Sequence, residues 1–86
     1  MSLLNHDMIA HVYIELKKGV ADPEGENTKK ALQLLGFDGV RDVRTIKVFR
    51  IELDELDEDQ GKRKVEEMCE KLLANPVIHN YRIEIG

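Results

Sequence analysis

From Met8 to Lys17 the chain alternates in character. Met8, Ala10, Val12, Ile14 and Leu16 fall on one face of an extended segment, and Ile9, His11, Tyr13, Glu15 and Lys17 on the other. A period of two held for ten residues, with Val, Ile and Tyr among them, specifies a β-strand rather than an amphipathic helix. The first face is apolar throughout, so the fold must place it against a core. The second face starts apolar and ends charged, so its first half also calls for cover. Lys18-Gly19 closes the strand.

The segment Asp22-Pro23-Glu24 then starts a helix. Asp22 can accept from orphan N–H groups, Pro23 suits the first helical position, and Glu24 sits at the positive end of the dipole. Thr28, Ala31, Leu32 and Leu35 follow at helical spacing, and Gly36 ends the run. Gly25 in the first turn costs helix stability, and the sequence supplies no reason for it. Between Val40 and Asp54 lie two strands or one bent one. Phe49, Ile51 and Leu53 alternate with Val48, Arg50 and Glu52, and Val43 alternates with Asp42 and Arg44. The junction Thr45-Ile46-Lys47 lacks the residues of a tight primed turn, leaving a longer loop, a bulge or a continuous strand.

Acidic Asp57, Glu58 and Asp59 precede a second helix, whose stripe is Val65, Met68, Cys69, Leu72 and Leu73. With Leu72 on that stripe, Leu72→Ala is expected to cost about 2–5 kcal/mol as a core truncation. Asn75-Pro76 stops the helix, and Tyr81, Ile83 and Ile85 mark a last strand. The expected fold is α+β: a ferredoxin-like βαββαβ domain with a four-stranded antiparallel sheet and both helices on one face. Residues 1–7 read as a leader, disordered or left from expression, and residues 8–86 as a single domain. The other sheet face stays open, and Ile9, His11, Tyr13 and Val48 make it a candidate self-association face.

Composition narrows the functional classes. Hydrophobic residues are 42% and charged residues 35% of 86, which excludes a disordered chain. No apolar run approaches the ~20 residues of a membrane helix. A single cysteine makes no internal disulfide, so the expected compartment is the cytoplasm. A net charge of −4 disfavours nucleic acid as a partner, because counterion release needs clustered Lys and Arg. Four aromatics without an RNA-binding signature make a base-stacking sheet a weak reading.

Catalytic constellations are missing as well. The glycines match no phosphate-binding spacing, and Cys69 lies on an apolar stripe where a packing role outweighs a nucleophilic one. His6, His11 and His79 have no metal-ligand spacing, and the acids from Asp54 to Asp59 lack the calcium-loop pattern. Acylphosphatases share the expected fold, but Lys17 to Asp22 supplies no arginine-bearing anion loop. No catalytic, cofactor-binding or metal residue is assigned to the chain.

Four stretches carry a family likeness: Gly19 to Gly25, Leu35 to Val40, Asp42-Val43-Arg44, and Met68 to Ile78. The block Cys69-Glu70-Lys71-Leu72-Leu73-Ala74-Asn75-Pro76-Val77-Ile78, followed by Tyr81, is the specific part. In these the chain resembles the PurS family, small subunits of phosphoribosylformylglycinamidine (FGAM) synthase, from about Met8 to Ile85. His79-Asn80 stands where members commonly have acids, and Ile46 where a glycine is usual.

The resemblance implies a role in the fourth step of de novo purine synthesis. There formylglycinamide ribonucleotide, ATP and glutamine become FGAM, ADP, phosphate and glutamate. It implies a non-catalytic homodimer or tetramer bridging a PurQ-like glutaminase and a PurL-like synthetase and supporting ammonia transfer. ATP and magnesium would belong to the synthetase, with no cofactor on this chain. Asn75, Pro76, Val77, Ile78 and Tyr81 are the candidate partner interface. Asn75 and Pro76 read equally as a helix stop, and Val77 and Ile78 as plugs beneath the last strand. The rival reading is a dimeric ligand-sensing domain of the ACT or P-II type, for which Gly19 and Gly39 are the available loop glycines.

Overall fold

The alternating strand, β1 (Asp7–Leu16), is the centre of the sheet in the computed structural model, which describes residues 7–86. It is flanked on both sides by antiparallel strands, β2 (Ile46–Asp54) and β3 (His79–Ile85), in the order β2-β1-β3. The register sets Val12 opposite Phe49 on one side and Ile83 on the other, and Ala10 opposite Ile51 and Ile85. Directly paired residues share a face. The apolar members of all three strands therefore form one inner face, where Ala10 and Val12 are fully buried. Apart from Asp7, the expected leader lies outside the described residues.

Helix α2 (Glu58–Met68) covers part of that face, with Asp57 Oδ1 accepting from Asp59 N at 2.9 Å as its cap. Val65 and Cys69 are fully buried in the core. The helix packs on β1 and β3 rather than on β2. At Cys69 it changes pitch. Cys69–Leu73 is a π turn, closed by the bond from Ala74 N to Cys69 O at 3.0 Å. The wider turn keeps Cys69 inward and Leu73 half-buried, and swings Leu72 out to 83% exposure. The expected core role of Leu72 is therefore corrected: regular helical spacing does not reach it.

The four-stranded sheet is also corrected, to three strands among the described residues. The segment from Val40 to Thr45 pairs with no strand, and a backbone group at each of its ends is bonded elsewhere. Val40 O accepts from Gln33 Nε2 at 3.1 Å, and Thr45 N donates to Asp22 Oδ2 at 2.8 Å. The junction needs no tight turn, since β2 simply begins at Ile46.

Helix α1 (Pro23–Leu34) starts as its sequence specifies. Asp22 Oδ1 accepts from Gly25 N at 3.1 Å, and Gly36 follows with φ +100°. Gly25 now has a reason: a Cβ there would stand 2.4 Å from the Val43 carbonyl oxygen. The expectation that both helices cover one sheet face fails for α1, which meets the sheet only near its first turn and does not lie along it. Leu34 is 88% and Leu35 74% exposed. The radius of gyration is accordingly 16.8 Å, where a compact chain of this length has about 12 Å.

Candidate functional site

The outer sheet face assembles the residues singled out for self-association. Ile9, His11 and Tyr13 project from β1, and Val48 of β2 lies directly across from Tyr13. Val48 and Ile46 remain 47% exposed. Two residues that sequence reasoning passed over organise this face. Arg82 lies over the Tyr13 ring, 4.1 Å from its centroid, and forms an ion pair with Glu84. Glu84 also accepts from the Tyr13 hydroxyl at 3.2 Å, and the Arg82 bond holds its carboxyl below the usual range. Their alternation with Ile83 was visible as a strand pattern, but the partner strand was not.

The Asn75–Ile78 loop is braced by its own polar groups. Asn75 Oδ1 accepts from Val77 N at 3.0 Å, and Asn75 O accepts from both Ile78 N and His79 N. The backbone N–H of Asn75 donates to His79 Nδ1 at 2.9 Å, so His79 is a loop brace rather than a free solvated side chain. Ile78 O accepts from Lys17 N at 2.8 Å, tying the loop to the end of β1. Pro76 and Val77 face solvent, Val77 at 78% exposure, while Ile78 is half-buried. Val77 is therefore no plug beneath β3.

Tyr81 sits apart from that exposed tip. It pairs with Ile14 on the inner face, and its hydroxyl donates to Glu70 Oε2 at 2.7 Å. That bond, with burial adding to it, pushes the phenol up to about 12. Glu70 is the member of this pair that the sequence did not single out. The structure thus brings Asn75 to Ile78 together and sets Tyr81 on a different surface.

Two recesses flank the start of α1. One, of about 390 Å³, is lined by Gly19, Asp22, Glu26, Asp42 and Arg44 among others. Of its acids Asp22 is committed: the Thr45 and Gly25 amides hold its carboxyl below the usual value. Gly39 does not border it, so the two loop glycines invoked for a ligand-sensing domain do not converge. The second, of about 290 Å³, opens on the inner face between Ile14, Leu16, Pro23, Lys47, Leu73 and His79. Cys69 is enclosed, and burial pushes its thiol up, away from nucleophilic use. Among the described residues, no three His, Cys, Asp or Glu side chains gather as a metal site.

Comparison with known proteins bears on what such surfaces serve. The family model described as PurS, phosphoribosylformylglycinamidine (FGAM) synthase, matches residues 9–86. The FGAM synthase subunit PurS of Archaeoglobus fulgidus is 63% identical over 76 residues, covering 88% of this chain and 95% of that protein. The crystal structure of Methanocaldococcus jannaschii PurS, a subunit of formylglycinamide ribonucleotide amidotransferase in the purine biosynthetic pathway, superposes with a TM-score of 0.84. It is 51% identical, with 92% of this chain and 95% of that one covered. A chain in the structure of PurLQS from Thermotoga maritima shares the fold with a TM-score of 0.82 at 24% identity, over 92% of this chain and 98% of that one. With the family match running through nearly every described residue, the chain belongs to the PurS family of FGAM synthase subunits.

Proposed function

We propose that this chain serves FGAM synthase as a non-catalytic, homodimeric subunit. It holds the glutaminase and the ATP-dependent synthetase together and supports the passage of ammonia from one to the other. The observation that carries this reading is membership of the PurS family over nearly the full length of its relatives. The assembly named PurLQS from T. maritima supports the choice of partners. In this reading the sheet is a ferredoxin-like layer lacking one edge strand. The exposed Pro76-Val77 tip, held rigid by Asn75 and His79, offers a preformed contact for a partner subunit. ATP and magnesium belong to the synthetase, and the place of action is the cytoplasm.

The test compares FGAM formation by the synthetase and glutaminase subunits with and without this chain. Ammonia-dependent synthesis by the synthetase alone is the control. The glutamine-dependent reaction is expected to require the chain, and the ammonia-dependent reaction to be indifferent to it. Equal glutamine-dependent rates in both arms would remove the bridging role.

A further inference from the structure

In the turn after α1 a carboxyl group and a backbone nitrogen stand side by side with nothing to occupy either. Asp38-Gly39 is the only place in the sequence where a glycine follows Asp or Asn. Both residues are exposed and form the middle of a turn in which Val40 N donates to Phe37 O at 3.3 Å. That distance lies beyond the ordinary range for N–H···O, so the turn is weakly closed. Among the described residues, no donor meets the Asp38 carboxylate and no acceptor meets the Gly39 N–H. A Cβ at residue 39 would find no atom within 4 Å, so open space surrounds the glycine.

The other aspartates lack this combination. Asp22 is bonded by two amides, and Pro23 after it has no N–H to react. Asp57 is occupied as the cap of α2, and Asp59 lies within that helix. Asp7 and Asp54 stand opposite each other in the sheet. Asp42 is exposed but precedes Val43, whose branched side chain crowds its own nitrogen.

We infer that Asp38-Gly39 is a modification site. The chain forms isoaspartate there unaided, and so becomes a substrate for an S-adenosylmethionine-dependent methyltransferase that esterifies isoaspartyl carboxylates. The Gly39 nitrogen attacks Cγ of the Asp38 carboxyl in its acid form. An N–Cγ bond forms and a Cγ–O bond breaks, and the hydroxyl leaves as water with the Gly39 amide proton. The product is a cyclic succinimide. Water then adds to one of its two carbonyls. Addition at Cγ reopens the new bond and restores aspartate. Addition at the main-chain carbon of Asp38 breaks its original bond to Gly39, and the chain then runs through Cβ and Cγ. No oxidant, reductant or cofactor enters. The isomer lengthens the turn by one methylene and leaves the free carboxylate on Cα. The bonds from Val40 N to Phe37 O and from Gln33 to Val40 O then lose their register, so the exit of α1 is the part of the subunit that ages first.

The test ages the full chain at neutral pH, native and unfolded in guanidinium side by side. Electron-transfer fragmentation of the peptides locates isoaspartate by residue. It is expected at residue 38 ahead of every other aspartate, and in the native chain at a rate close to that of the unfolded one. Aged native protein should accept labelled methyl groups from the methyltransferase and S-adenosylmethionine, in proportion to the isoaspartate at residue 38. Gly39→Val, at a position with room for a side chain, should lose both signals. Asp38→Glu, which must close a larger ring, should lose them too and serves if valine disturbs the turn. Isoaspartate that forms in the unfolded chain but not at residue 38 of the native one, or that appears first at another aspartate, would overturn the site. Isoaspartate at residue 38 that takes up no label would overturn the methyltransferase step.

Discussion

Replacing Gly25 with alanine sets two effects of opposite sign against each other. Helix propensity favours alanine over glycine by ~0.8–1.0 kcal/mol, so on sequence grounds Gly25→Ala stabilises. Packing opposes it. The new Cβ would lie 2.4 Å from Val43 O, a backbone atom that no side-chain rotation can move aside. The Val43 peptide must retreat by about 1 Å to reach ordinary contact, and overpacking of this kind costs ~1–3 kcal/mol. The same retreat strains the Asp22 cap, because Thr45, two residues on, donates to the carboxylate that also holds Gly25 N. Loss of such a cap costs ~0.5–2 kcal/mol. The net expectation is a destabilisation of about 1–3 kcal/mol, and with it a fall in Tm of at least ~4 °C for a domain of this size. Thermal unfolding followed by circular dichroism at one fixed protein concentration reads it. Asn27→Ala, on the exposed side of the same helix, is the control and should raise Tm slightly. A Gly25→Ala protein that melts at or above the wild-type temperature would refute the close approach and, with it, the anchoring of α1.

Leu72→Ala should change stability by less than ~0.5 kcal/mol in urea unfolding, whereas Val65→Ala, fully buried, should cost about 1–2.5 kcal/mol. A concentration-independent loss of 2 kcal/mol or more at Leu72 would mean that the π turn is absent in solution. For Tyr81, the folded-state phenol at about 12 lies above its ordinary value of 10.0, so the folded chain binds more protons between the two. The stability this supplies is complete below pH 10 and lost as pH rises toward 12. Glu70→Gln should bring the Tyr81 transition down toward its ordinary value in an ultraviolet titration, and an unmoved transition would show that Glu70 is not the cause.

What the sequence revealed, and what it hid, follows from the range of each interaction. The dry face of β1 and the Asp22-Pro23 helix start are written in residues a few positions apart, and both stand as read. The stripe of α2 is legible through Cys69 and fails at Leu72, because one extra residue in a turn leaves no mark on composition. The Val40–Thr45 segment shows a short alternation around Val43. Asp22, well upstream in sequence, takes the Thr45 amide, and Gln33 takes the Val40 carbonyl, contacts that the alternation does not show. Of the candidate surfaces, Ile9, His11, Tyr13 and Val48 were readable from parity alone. The Arg82–Glu84 clamp on Tyr13 and the Glu70 bond to Tyr81 depend on which strands and helices become neighbours, which periodicity does not state.

The strand order also sets a timetable for synthesis. β1 is made first, yet it is the central strand, and its second edge pairs with β3, from Ala10 opposite Ile85 to Leu16 opposite His79. At ~5–20 residues per second, β1 can dock on β2 and then waits seconds on the ribosome with its other edge bare. The contacts that complete the sheet are those of longest loop closure, which form slowly. A nascent chain halted before His79 would therefore present an unpaired β1 edge beside an apolar face, the state in which this subunit is most exposed to mispairing with other chains.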